Sequence, residues 1–191
     1  MKRSVNLFFV VITMFLASCA STQGWHEGEN LIQPLPLPGE AWQFKRLVND
    51  RAKMGMGRWS KNSENGSETL QVITAYGQRN GDVEALQSYT DEEGKGNCSS
   101  FSSEVLDNAR ENNYQTITWR TKCKLRGENA ELIILQKAIS GEDSLYNIQK
   151  MWRDSFTEES SKLWTGYVKR IKLCNTRGTQ HPCPEGFRRT Q

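Results

Sequence analysis

The sequence predicts an α+β fold: a single small domain with an antiparallel sheet, helices packed on one face, and two disulfides. Three observations lead there. Hairpin signals outnumber strand–helix–strand units, which favours antiparallel pairing. Apolar residues recur at helical spacing in the C-terminal third of the chain. Cys98, Cys123, Cys174 and Cys183 form an even set within the region that carries folding patterns.

Taken in order, residues 41–191 read as ββ-α(α)-ββ-αα. Trp42, Phe44 and the Arg46/Val48 stretch suggest a first strand, and Met54-Gly55-Met56-Gly57 loosens the chain ahead of Trp59. Asn65-Gly66 is a hairpin turn signal, because both residues tolerate positive φ. Leu70 to Tyr76 alternates as a strand. Gly81 stops it and Asp82 caps a helix with Val83, Leu86 and Tyr89 on one face. Asp91 to Asn97 reads as a polar loop. Cys98, Phe101, Val105 and Ala109 then recur at helical spacing and predict a second helix, ended by Asn112-Asn113.

The clearest strand pair follows. Ile117, Trp119, Thr121, Cys123 and Leu125 share one parity, Gly127-Glu128-Asn129 turns the chain, and Glu131 to Ile139 runs back. Its continuous apolar run suggests a strand covered on both faces. Asp143 is placed to cap a helix carrying Leu145, Ile148 and Trp152. Ser155 and Glu158 have capping-box spacing for a last helix, with Leu163, Trp164, Tyr167, Val168 and Ile171 as its stripe. Of the six tryptophans, Trp42, Trp119, Trp152 and Trp164 fall on apolar faces and read as core. Trp25 and Trp59 fall outside such faces and are candidate partner-binding residues.

The N-terminus is organised differently. Lys2 and Arg3 precede an apolar run from Val5 to Leu16, which is shorter than the roughly 20 residues that span a bilayer. It has the length of a signal-peptide core, followed by the small residues Ala17 and Ser18. Leu16-Ala17-Ser18-Cys19 resembles a lipobox, the processing signal of bacterial lipoproteins. The resemblance implies removal of residues 1–18, acylation of Cys19 as the only covalent lipid site, and a bilayer as first partner. With Ala20, Ser21 and Thr22 rather than Asp after the cysteine, it further implies sorting to a periplasm-facing position on the outer membrane. Two or more acyl chains anchor stably where one does not. Residues 19–40, with Pro34-Leu35-Pro36-Leu37-Pro38-Gly39, read as a flexible Pro-rich tether, or one whose Leu35 and Leu37 dock on the domain.

Export makes disulfides the natural reading of the remaining cysteines. Three pairings are possible, and sequence proximity favours Cys98–Cys123 and Cys174–Cys183. Neither pair has zinc-site spacing, so no metal is expected.

Beyond Lys2 and Arg3 the bases exceed the acids by one, which lacks the basic excess of a nucleic-acid binder. An acid-rich stretch at 82–111 and a base-rich one at 162–191 read as solvated faces. The expected cofactor set is empty. No nucleophile elbow, phosphate loop or metalloprotease motif is present in context. His26 lies in the tether. His181 reads as exposed within the second cysteine loop, Glu142-Asp143 as a helix cap, and Asp91-Glu92-Glu93 as a solvated loop. These features lead to an envelope lipoprotein that is a binding or structural module without enzymatic activity, with a protein or polymer partner. An inhibitor or immunity-type lipoprotein is the alternative, and a hydrolase with a non-standard site stands behind both.

Overall fold

The computed structural model describes residues 27–63 and 66–184, so the lipobox, Cys19, Trp25, His26 and Asn65 lie outside the described residues. The described strands are β1 (Glu29–Ile32), β2 (Gln43–Asn49), β3 (Met54–Ser63), β4 (Gly66–Tyr76), β5 (Cys98–Glu111), β6 (Tyr114–Leu125), β7 (Glu131–Ser140), β8 (Ser144–Arg153) and β9 (Lys172–Asn175). Helix α1 (Val83–Asn97) joins β4 to β5, and α2 (Glu158–Lys169) joins β8 to β9. Seven strands form one antiparallel sheet in the order β2-β3-β4-β8-β7-β6-β5, and β1 pairs with β9 in a separate two-stranded sheet.

This architecture corrects the expected α+β fold with its ββ-α(α)-ββ-αα order. The chain is mostly β, and two of the four expected helical stretches are strands. The stretch from Cys98 is β5, an edge strand whose register against β6 skips Ser99 and Leu106. The first bulge brings Cys98 onto the face of Phe101 and Val105, at spacings of three and four that imitate a helix, while the second turns Ala109 to the opposite face. Asn112-Asn113 does not end a helix. Both residues have positive φ (49° and 65°) and form the two-residue turn between β5 and β6. The Leu145–Trp152 stretch is the central strand β8, buried on both faces. Leu145 packs with Ile117 and Trp119, whereas Ile148 and Trp152 face the opposite side. Asp91 to Asn97 is not a loop but the continuation of α1.

The helices also lie on opposite faces rather than one. Helix α1 starts at Asp82, whose carboxylate accepts the Ala85 N–H at 2.9 Å. It packs over β5, β6 and β7, where Val83 joins Ile117, Trp119, Ala138 and Leu145. Gly94 is needed there: a Cβ would meet the Phe101 ring at 2.3 Å. Helix α2 is capped by Thr157, two residues later than the expected box, through the Ser160 N–H at 3.1 Å. Its Trp164, Tyr167 and Val168 cover Leu70, Leu135, Ile148 and Trp152 on the other face. The segment 29–38 is part of the fold rather than a tether: β1 lines up on β9, Leu37 is buried, and Tyr167 donates to the Pro34 carbonyl at 2.8 Å.

Two disulfides are present, Cys98–Cys123 and Cys174–Cys183, with Cα atoms 5.5 and 4.9 Å apart. The first ties the start of β5 to β6. The second closes the loop after β9.

The α2-covered face contains a fully buried lysine. Lys150 on β8 lies 4.6 to 5.3 Å from the ring centroids of Trp42, Trp152 and Trp164, and its ammonium meets Glu68 at 2.5 Å. Glu68 also pairs with Lys61 at 3.1 Å. Loss of water pushes the Lys150 ammonium down to about 8, against the opposing pull of Glu68. Because this folded value lies below the ordinary 10.5, the unfolded chain holds more protons between the two, so stability rises with pH across that window. Urea titrations between pH 8 and 10 are expected to show this rise in the native protein and a smaller one in Lys150→Met. At pH 7, Glu68→Ala leaves Lys150 buried without its partner and is expected to cost about 3 kcal/mol. An unaltered unfolding midpoint for Glu68→Ala would exclude a buried ion pair.

Candidate functional site

Two surfaces qualify as candidates, a polar cleft at one end of the sheet and the free edge of β2. The cleft is assembled by Glu29. Its buried carboxylate accepts the backbone N–H groups of Glu142 and Asp143, the latter at 3.0 Å, and the Tyr146 hydroxyl at 3.3 Å. Gly141 makes this approach possible, since a Cβ there would lie 2.5 Å from Glu29 Oε2. Burial pushes the Glu29 carboxyl above its usual range, while its hydrogen-bond donors oppose the shift. Burial and then the Glu29 charge likewise hold the Tyr114 and Tyr146 phenols above their ordinary value.

Outside this pin lies His181. It is buried, not exposed as its loop position suggests. Its ring stacks on Tyr114 with centroids 4.0 Å apart, Nδ1 lies 2.8 Å from the Asn112 carbonyl, and Nε2 lies 3.2 Å from Glu142. Asn112 and Asn113 reach across to the carbonyls of Leu173, Pro182 and Gln180, fastening the β5–β6 turn to the disulfide loop. Asn175 donates to Glu142 at 2.9 Å, and Arg177 pairs with Asp143. Glu142 and Asp143 therefore occupy the β7–β8 turn and cap no helix. Depressions of about 430 and 670 Å³ flank Glu142, Gln180 and His181, with Arg79 in the first and Arg110 in the second. The polar groups of this cleft are committed to the fold. Glu29 holds the turn, and both ring nitrogens of His181 already face protein oxygens.

The second surface is the β2–β3 hairpin. All seven residues of β2 are exposed, and its ladder with β3 runs from Gln43↔Ser60 to Asn49↔Met54 without a register shift. Alternation sends Lys45 and Leu47 to one face and Phe44, Arg46 and Val48 to the other. Among the described residues, Lys45, Arg46, Arg51, Lys53 and Arg58 make no ion pair, and the single acid between Gln43 and Lys61 is Asp50. Gly57 leaves room for the rings of Phe44 and Trp59, which pack 4.8 Å apart across it.

Of the sequence-derived candidates, Trp59 therefore sits partly buried beside the free edge, while Trp25 and Cys19 lie outside the described residues. The four cysteines form the two staples. Trp42 is partly buried, edge-on to Trp164 at 5.6 Å. The acids of 82–111 do not pair with the described bases of 162–184: Glu104 meets Arg120, Glu111 meets Lys137 and Glu92 meets Lys95. Glu29 and the exposed run of β2 were missed. A lone acid in a proline-rich segment carries no signal, whereas the near absence of acids from 43 to 61 was readable. No protein-family model matches the chain, and no curated protein is similar to it.

Glu29 has a measurable pH signature. Its folded value lies above 4.5, so its contribution to stability is full below pH 4.5 and is lost as pH rises through the folded value. Relative to Glu29→Gln, the native protein is expected to lose stability over the pH interval just above 4.5. Parallel urea-denaturation curves for the two proteins across that interval would contradict a buried, shifted carboxyl. Glu29→Ala strands two amide donors and a hydroxyl and is expected to cost roughly 2–4 kcal/mol.

Proposed function

We propose that the protein is a lipid-anchored envelope lipoprotein whose domain is a binding module without enzymatic activity, with the β2–β3 hairpin as its docking element. The observation that carries the binding reading is β2 itself: an edge strand with every residue exposed, and with five cations on and around it that make no ion pair among the described residues. Edge strands offer unpaired backbone groups to other chains, and natural sheets ordinarily blunt them. An exposed patch of mixed apolar and basic character marks an interaction site. The anchor reading is supported by Leu16-Ala17-Ser18-Cys19 behind its apolar run, and the outer-membrane position by the absence of Asp after Cys19. The two disulfides suit an oxidising compartment. The pinned cleft contributes less, since its titratable groups are taken up in holding β1, the β7–β8 turn and the disulfide loop together.

Both halves of this reading are open to test. Cys19→Ser is expected to abolish incorporation of labelled palmitate, and equal labelling of that variant would refute the anchor. For the domain, a photo-crosslinking side chain placed at Leu47 should yield a discrete adduct in intact envelopes, while one at the exposed Glu159 on α2 should not. Failure of the Leu47 position to yield an adduct, or equal adducts from both positions, would refute the hairpin as docking element.

A further inference from the structure

The two outer edges of the seven-stranded sheet are built differently. On one side β5 is interrupted by bulges at Ser99 and Leu106, which twist and break the edge. On the other side β2 is unbroken, with no bulge and no proline. Phe44, Leu47 and Val48 are 58, 41 and 56 % exposed along it. Bulges thus protect β5 and are missing on β2, whose protection rests on charge alone. That charge is a pair of adjacent cations, Lys45 and Arg46, projecting to opposite faces, Lys45 beside Leu47 and Arg46 between Phe44 and Val48.

From this we infer that β2 accepts an extended acidic segment of a protein partner as an eighth strand, with two adjacent carboxylate side chains set opposite Lys45 and Arg46 and apolar residues on either side. The inference rests on the hairpin being the docking element, and it names the chemistry of the occupant. Strand addition satisfies the free N–H and C=O groups of β2, and the side chains alternate with the pleat to give specificity. On each face the cation of β2 meets an acid, and the apolar side chains of β2 meet apolar neighbours, both favourable cross-strand pairings. Trp59, packed against Phe44 over Gly57, backs the face that carries Arg46.

Two other occupants fit less well. A second copy pairing β2 with β2 in antiparallel fashion about the strand centre would place Arg46 opposite Arg46, and like charges directly opposite destabilise a ladder. An anionic lipid surface would attract the cations but would leave the edge hydrogen-bonding groups unmatched by hydrocarbon.

The probe is a short synthetic peptide with the core Val-Glu-Glu-Val, compared with Val-Lys-Lys-Val. It is titrated by fluorescence anisotropy into the mature chain carrying Cys19→Ser. The acidic peptide is expected to bind, to slow hydrogen exchange at Gln43–Asn49, and to weaken as salt rises. The basic peptide should not bind. Lys45→Glu combined with Arg46→Glu should weaken the acidic peptide by at least about tenfold and bring in the basic one, a gain that an unfolded variant could not produce. Three results would overturn the inference. One is absence of acidic-peptide binding. The second is protection confined to residues other than β2, and the third is an affinity indifferent to the charge swap. Envelope crosslinks from Leu47 without peptide binding would remove the acidic strand and leave the docking element standing. Loss of both would remove the docking element as well. Association of the chain with phosphatidylglycerol vesicles, or with itself, in place of peptide binding would assign the edge to those occupants and also overturn the inference.

Discussion

Coverage is the constraint from which the rest of the structure follows. Seven strands at about 4.8 Å spacing make a sheet roughly 29 Å wide. A helix with its side chains is about 10 Å across and shields two or three strands. The described residues form two helices, of 15 and 12 residues, on opposite faces. Helix α1 protects β5 to β7. Helix α2, helped by β1, β9 and the Pro34–Pro38 segment, protects β4, β7 and β8. Nothing among the described residues covers β2. A central block of strands is therefore buried on both sides, and the chain's most open backbone is left at one edge.

The buried cations belong to that central block. Lys150 and Lys137 alternate with Ile148, Trp152, Leu135 and Ile139 on the α2 side of β8 and β7. Their carboxylate partners stand at fixed positions in the sheet, Glu68 on β4 next to β8 and Glu111 at the end of β5, two strands from β7. A one-residue slip of either strand would turn its lysine toward α1, away from that partner. In an apolar strand the neighbours Ile, Leu and Val would tolerate such a slip far better. The ion pairs contribute little net stability after desolvation, but they discriminate between registers.

Much of the central block was legible in the sequence. The β6–β7 hairpin follows from the parity of Ile117 through Leu125 and the apolar run after Glu131. The start of α1 follows from Asp82, and the disulfide pairing from nearness in sequence. The failures have physical causes. In β5 the residue inserted at Ser99 shifts the side-chain parity, so Cys98 falls three positions from Phe101 and, with Val105 four further on, imitates a helical stripe. In β8 a core lysine interrupts the alternation of Tyr146, Ile148 and Trp152, so that Leu145, on the other face, completes a false helical stripe. The cleft was illegible for a different reason. Glu29 acts at a separation of more than a hundred residues, on backbone groups that carry no side-chain signature. His181 likewise derives its burial from Tyr114 and from Asn112 rather than from its own surroundings in sequence.

The pinned N-terminal strand also determines how the molecule carries tension. Under the proposed lipid anchor at Cys19, the domain would be pulled from its N-terminal side. Along that line the first fixed points are the mutual hydrogen bonds of Gly28 with Thr176 and the carboxylate of Glu29 on the β7–β8 turn. Load entering there passes into β9, into the loop closed by Cys174 and Cys183, and into the turn between two central strands. It is borne before the chain reaches β2. With the proposed anchor and docking edge, drag at Cys19 and engagement at β2 would enter the fold at separate places.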